Sequence, residues 1–285
     1  MTEPKTQKQH EEGRFKTNDG LNLFEQSWQP VKQPKAVVVI IHGYAEHSGR
    51  YAHVADYLVN HGYAVETFDL RSHGKSDGKK TFVRLFDAFL SDVDVFLKRV
   101  QKRHQGKNIF MLGHSMGGTI AVLFAITRKS ALNGIILSGA TLKISDDISP
   151  FLVRISSIIG KILPKLPTIK VDCNALSHDL EVVKKYDNDP LVYRGGIPAR
   201  TGAEFTRATK LIQKQMELVT LPLLILSGTA DRLSDPEGSK QLYQWAQSKD
   251  KTLKLYDGFY HEILNELEKE TVLSDIVNWL EVHCQ

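Results

Sequence analysis

A chain of 285 residues with 41% hydrophobic and 25% charged residues holds enough apolar material for a large core, which excludes a disordered or fibrous protein. Its 37 Lys and Arg against 33 Asp and Glu leave a net charge of only +4, and the basic residues are scattered, so no nucleic-acid-binding face is indicated.

Taken in chain order, Met1 to Lys16 reads as a polar, charged leader. Leu21 to Trp28 alternates like an outer strand, and Ala36 to Ile41 is a continuous apolar run, as in a parallel strand buried on both faces. Helical and strand-like patterns then alternate: Tyr51 to Asn60 (helix), Ala64 to Phe68 (strand), Leu85 to His104 (helix), Asn108 to Leu112 (strand), Gly117 to Arg128 (helix) and Gly134 to Leu137 (strand). Repeated β-α-β units of this kind specify a twisted, mostly parallel sheet with helices on both faces. The alternation lapses near Ala140 and resumes with the strand Leu221 to Ser227, the helix Glu237 to Ser248, the strand Thr252 to Tyr256 and a last helix from Glu268. The expectation is one domain over 1–285, with a helical cap over 141–218 set above the C-terminal edge of the sheet, where open α/β sheets bind ligands. Within the cap, Ile148 to Leu163 is an apolar helical pattern stopped by Pro164, followed by helical patterns over Asp179 to Asn188 and Ala203 to Leu218.

Cys173 and Cys284 form no redox or metal-ligand spacing, which fits a reducing compartment. The leader lacks the apolar stretch of a secretory signal, and no run reaches the ~18 apolar residues of a bilayer-spanning helix. These features lead to the expectation of a cytoplasmic protein, or one attached at a membrane surface.

Chemistry enters at Gly113-His114-Ser115-Met116-Gly117, a G-x-S-x-G sequence between an apolar strand and a helix. A serine on such a strained turn needs neighbours two positions away without side chains, so that strand and helix can approach. The alternative is a glycine-rich turn in which Ser115 merely caps the helix. In this arrangement the acid follows a late strand and the histidine follows the next one. Asp231 stands after Leu221 to Ser227, and His261 after Thr252 to Tyr256. An imidazole with a pKa near ~6.5 can take the serine proton and return it to a leaving group, while a buried carboxylate fixes its tautomer. Asp235 competes with Asp231 but is placed to cap the next helix. Asp69 reads as a turn residue, and His10 and His104 as surface residues. The loop Ile41-His42-Gly43-Tyr44 nominates the backbone N–H of Tyr44 for an oxyanion hole, with that of Met116 as the second donor and His42 structural.

At these residues the sequence resembles the monoacylglycerol lipase family. The match runs through His42 to Tyr51 (HGYAEHSGRY), Gly74 to Gly78 (GKSDG), Gly113 to Gly118 (GHSMGG), Tyr186 to Leu191 (YDNDPL), Gly228 to Leu233, Asp250 to Lys254 and Tyr260-His261-Glu262. The resemblance implies an α/β-hydrolase fold, the triad Ser115, Asp231 and His261, an acyl channel under the cap and a polar pocket for the alcohol end. Glu46, Arg50, His114 and Tyr186 correspond to that pocket, although Glu46 and Arg50 could equally be an ion pair bracing the oxyanion loop. Ala45 departs from the glycine common in the family, and its methyl could narrow that loop or pocket. The apolar helix Ile148 to Leu163 resembles the family's membrane-facing lid, with ordinary core packing as the alternative. The expected reaction is hydrolysis of a lipid ester, a monoacylglycerol, through an acyl-enzyme without metal or cofactor, and with transient membrane contact through the cap. A lysophospholipase or broad carboxylesterase on the same machinery is the nearest rival, and a non-catalytic hydrolase-fold protein a more distant one.

Overall fold

The computed structural model describes residues 9–128, 132–143 and 158–284. Its frame is one eight-stranded sheet in the order β1-β2-β4-β3-β5-β6-β7-β8. The strands are β1 (Gln9–Lys16), β2 (Asn22–Gln29), β3 (Val37–Ile41), β4 (Ala64–Phe68), β5 (Ile109–His114), β6 (Gly134–Ser138), β7 (Leu223–Gly228) and β8 (Lys251–Tyr256). From β4 through β8 every neighbouring pair is parallel, whereas β2 runs antiparallel to both β4 and β1. This is an α/β-hydrolase fold.

Successive side chains of a strand point to opposite faces, and the central strands show it directly. Val37, Val39 and Ile41 of β3, with Ile109 and Met111 of β5, pack into one core layer. Val38 and Ile40, with Phe110 and Leu112, pack into the other. Because both layers exclude water, these strands must be apolar at every position, which explains the unbroken runs in the sequence. The first layer is closed by α2 (Asp87–Arg103), α3 (Met116–Thr127) and residues of α5 (Ala199–Gln213) and α6 (Pro236–Trp245). The second is closed by α1 (Ala52–Asn60) and α7 (Lys269–His283). Between β6 and β7 stand α4 (Leu180–Asn188) and α5. The expected apolar helix over Ile148 to Leu163 lies mostly outside the described residues; 158–162 are helical and the helix has ended before Pro164.

Three sequence expectations are corrected. Part of the polar leader is a strand: β1 pairs with β2 along its whole length, from Gln9 opposite Gln29 to Lys16 opposite Asn22. It is an edge strand, held by backbone hydrogen bonds and mostly exposed, with Phe15 its one buried apolar anchor, so it has no hydrophobic alternation to read. Helix α5 begins at Ala199, earlier than the pattern suggested, because Pro198 occupies its N-cap and the chain turns helical at once. His104 is not a surface residue: its ring meets Glu66 at 2.7 Å with the imidazole 10% exposed.

Candidate active site

Strand β5 delivers Ser115 at its C-terminal end, and α3 starts at the next residue. Ser115 has φ +53° and ψ −118°, a conformation that costs a non-glycine residue on the order of 1–3 kcal/mol and persists only where the surroundings impose it. They do so here. The Ser115 N–H donates to Ser138 O at 3.0 Å, and its carbonyl accepts from the N–H groups of Gly118, Thr119 and Thr141. A Cβ on Gly113 would lie 2.4 Å from Gly117 O, and one on Gly117 would lie 2.1 Å from Ile41 O. The turn can therefore close only with glycine at both positions, the physical content of the G-x-S-x-G spacing. Ser115 itself is partly accessible between buried neighbours, so its hydroxyl can meet a substrate.

Asp231 follows β7 and His261 follows β8, and the two meet: His261 Nδ1 lies 2.8 Å from Asp231 Oδ2. The other carboxylate oxygen accepts from the N–H groups of Leu233 at 2.8 Å and Ser234 at 2.9 Å, which fixes the carboxylate plane. Asp235 instead caps α6 through the Glu237 N–H, as the sequence suggested. Burial opposes charging of His261, but the Asp231 carboxylate, reinforced by Glu262 and Glu46, prevails and raises its pKa above 6.5. The His261 ring stands 4.8 Å, centroid to centroid, from the ring of His114, the residue preceding Ser115. A Cβ on Gly139, just past β6, would sit 3.4 Å from His261 Nδ1 and 3.6 Å from Asp231 Oδ2. Serine, histidine and aspartate loops thus converge on the same edge of the sheet.

The loop after β3 completes this edge. A Cβ on Gly43 would fall 3.2 Å from Ser115 Cβ, so the backbone leading into Tyr44 passes directly beside the Ser115 turn. His42 is structural: its Nε2 accepts from the Leu70 N–H at 2.9 Å and its Nδ1 donates to Gly43 O at 2.7 Å. Asp69 braces the same loop, taking the N–H and hydroxyl of Ser48 on one oxygen and the Lys75 N–H on the other. Ala45 adopts φ +66°, the left-handed region that favours glycine.

Glu46 and Arg50 are packed inward as an ion pair. Glu46 Oε1 accepts from the Gly43 N–H at 2.6 Å and from the Tyr51 hydroxyl at 2.7 Å, while Oε2 meets Arg50 Nη1 at 2.6 Å. Burial would push the Glu46 carboxyl up, but Arg50 and the nearby histidines hold it well below the usual range. Glu262, which had no assigned role in the sequence, takes the Arg50 guanidinium in a two-pronged contact at 2.6 and 2.7 Å. The signal available was its position beside His261. Tyr186 of α4 stacks over the same guanidinium, 4.8 Å from ring centroid to Cζ. His114 holds Ser138 O at 2.9 Å through Nδ1, and burial, with repulsion from His261, lowers its pKa to about 4, so it is neutral at pH 7.

The segment between β6 and β7 touches both loops that flank Ser115. Tyr193 N–H donates to Ala45 O at 2.8 Å, and Asp189 meets His47 at 2.9 Å. Glu262 N–H donates to Leu176 O at 2.7 Å, and Glu266 gathers the Tyr260 N–H with His178 and Ser177. Among the described residues no group of three or more His, Cys, Asp or Glu side chains is arranged to hold a metal ion.

Comparison with known proteins agrees with this geometry. A hydrolase family described as serine aminopeptidase, S33 matches residues 32–268. The monoacylglycerol lipase of Mycolicibacterium smegmatis is 36% identical over 93% of this chain and 94% of its own length. The chain belongs to the monoacylglycerol lipase family. It is accordingly a serine ester hydrolase. Human monoglyceride lipase, also a family member, is 36% identical over 92% of this chain and 88% of its own. The crystal structure of the Paleococcus ferrophilus monoacylglycerol lipase superposes with a TM-score of 0.83 at 32% identity, covering 92% of this chain and 99% of that one.

Proposed function

We propose that the chain hydrolyses monoacylglycerols to fatty acid and glycerol, with Ser115 as nucleophile, His261 as general base and acid, and Asp231 as the carboxylate that orients it. In the first half, Ser115 Oγ adds to the ester carbonyl while its proton passes to His261 Nε2. The tetrahedral intermediate then collapses, and His261 returns the proton to the departing glycerol oxygen, leaving an acyl-serine. In the second half, water gives a proton to His261, adds to the acyl carbon and expels Ser115, which recovers its proton as the fatty acid leaves. The backbone N–H groups of Tyr44 and Met116 stabilise the oxyanion, the latter helped by the positive end of α3. The described part of the segment between β6 and β7, with α4 and α5, serves as a cap over this edge of the sheet. The lipid ester reaches Ser115 beneath it, and Glu46, Arg50, His114 and Tyr186 border the alcohol end.

The observation that carries this reading is the strained, partly accessible Ser115 at φ +53° on the same edge of the sheet as a buried His261–Asp231 pair whose imidazole pKa is raised and whose ring lies 4.8 Å from that of His114. Two relatives named for the hydrolysis of monoacylglycerols support a glycerol ester as the substrate. We also propose transient contact of the cap with lipid surfaces. No helix among the described residues is long and apolar enough to cross a membrane. Ile162 and Ile169, however, are each 72% exposed, and the exposed Lys161, Lys165 and Lys170 stand among them, an arrangement suited to an anionic interface.

The test pairs a fluorophosphonate label with turnover. Labelling and hydrolysis of a monoacylglycerol should both vanish in Ser115→Ala, and persistent labelling there would exclude Ser115 as nucleophile. A panel of monoacylglycerol, lysophosphatidylcholine and short p-nitrophenyl esters should rank the monoacylglycerol first in kcat/KM. A preference for either of the others would reassign the substrate class.

A further inference from the structure

The two loops that flank Ser115 are joined by a buried chain of charge. On the oxyanion side, Glu46 holds the Gly43 N–H at 2.6 Å, and Gly43 is bonded directly to Tyr44. On the histidine side, Glu262 is bonded directly to His261. Arg50 lies between them, giving Nη1 to both Glu46 Oε2 and Glu262 Oε1 at 2.6 Å and Nη2 to Glu262 Oε2 at 2.7 Å. The three side chains are 4%, 11% and 3% exposed for Glu46, Arg50 and Glu262, so water screens them little. Further bonds fix the ends of the chain: the Tyr51 hydroxyl on Glu46, the Asn265 amide on Glu262 at 2.9 Å, and the Tyr186 ring over the guanidinium.

Resting on the reading of Ser115 and His261 above, we propose that Arg50 is a positioning residue that locks the oxyanion loop and the histidine loop into one rigid unit, with Glu262 as the member that places His261. Only a planar guanidinium can grip one carboxylate with two parallel bonds and still hold a second; a lysine ammonium keeps the charge but loses the planar fork. Catalytic groups need to be held within about 0.5 Å of the productive arrangement, and this bridge spans the two loops whose spacing sets the distance from oxyanion donors to base. It also sets the electrostatics of the base. The charged and titratable groups acting on His261 are Asp231 from the loop after β7, His114 from β5, and the carboxylates Glu262 and Glu46 of the bridge. Glu262 and Glu46 both favour the imidazolium.

The experiment measures kcat, KM and the pH dependence of kcat/KM for a monoacylglycerol in wild type, Arg50→Ala, Arg50→Lys and Glu262→Gln, with thermal melting of each. Arg50→Ala should lower kcat by roughly 10- to 100-fold with KM changed less than about threefold, the scale seen when a group that orients a catalytic ligand is removed. Arg50→Lys should recover part of that loss. Glu262→Gln removes one negative charge facing His261 and should move the acidic limb of kcat/KM to lower pH. A wild-type kcat in Arg50→Ala, or a Glu262→Gln profile that superposes on wild type, would overturn the proposal. A lowered melting temperature with kcat and pH profile unchanged would reduce the bridge to a structural ion pair and equally overturn it. If Arg50→Ala is insoluble, the pH profile of Glu262→Gln decides. The wild-type enzyme's fluorophosphonate labelling at Ser115 is measured in parallel, so a failed triad assignment is separable from a failed bridge.

Discussion

Replacing Asp231 with Asn isolates the role of the carboxylate because the surroundings dictate how the amide must lie. One oxygen of Asp231 accepts two backbone N–H groups, from Leu233 and Ser234, and the other faces His261 Nδ1 at 2.8 Å. An asparagine cannot turn its NH2 toward two donors, so its oxygen takes the backbone side and its NH2 points at the imidazole. His261 Nδ1 must then accept, which puts the ring proton on Nε2, the atom that has to take the Ser115 proton. The base is lost with the site otherwise intact. In a serine protease the equivalent change lowers kcat about 10⁴-fold, or about 5.4 kcal/mol of barrier, and a fall of that order is expected here. Steady-state hydrolysis of a monoacylglycerol, with a melting curve to confirm the fold, measures it. An Asp231→Asn enzyme within tenfold of wild type would refute the tautomer argument and with it the assignment of Asp231.

Gly117→Ala drives a methyl to within 2.1 Å of the Ile41 carbonyl, a backbone group that cannot swing aside, so a loss of about 3 kcal/mol or more is expected by chemical denaturation; a loss under about 1 kcal/mol would show that the turn can open. Ala45→Gly removes a Cβ from a residue at φ +66° and should stabilise the fold by about 0.5–1 kcal/mol, read as a higher denaturation midpoint, and a lower midpoint would contradict a strained Ala45. Changing both Ile162 and Ile169 to Ser should weaken flotation with anionic liposomes by roughly tenfold or more, since each buried Ile side chain contributes about 1.5–3 kcal/mol; unchanged flotation would remove the cap from the lipid contact.

How much of this was legible in the sequence follows from which forces hold each part. The central strands were readable because a strand covered on both faces must be apolar throughout, and Val37–Ile41 is buried at all five positions. Strand β1 was not, since an edge strand paired by its backbone leaves side chains such as Gln9, His10 and Glu11 in water. Ser115, Asp231 and His261 could be located because each follows a strand whose pattern is plain, and the glycines at 113 and 117 are imposed because a Cβ there would collide with Gly117 O or Ile41 O. The chain order of the fold then supplied the pairing of acid and base.

The bridge built on Arg50 had no such signature. Arg50 and Glu262 are separated by 212 positions, and nothing in either local pattern says that they meet. Buried charge is expensive unless it is paired, so a guanidinium and two carboxylates that end up inside must find one another as the sheet closes, and their pairing is decided by the fold and not by their neighbours in sequence. The same holds for Ala45. The sequence could mark it only through the resemblance, whereas the backbone shows why a glycine would suit there: the residue sits at positive φ and offers its carbonyl to Tyr193 from the segment between β6 and β7. The strain at Ala45 and at Ser115 therefore lies on the two turns that face each other across the site, and both are held by contacts that form only once the distant parts of the chain have packed.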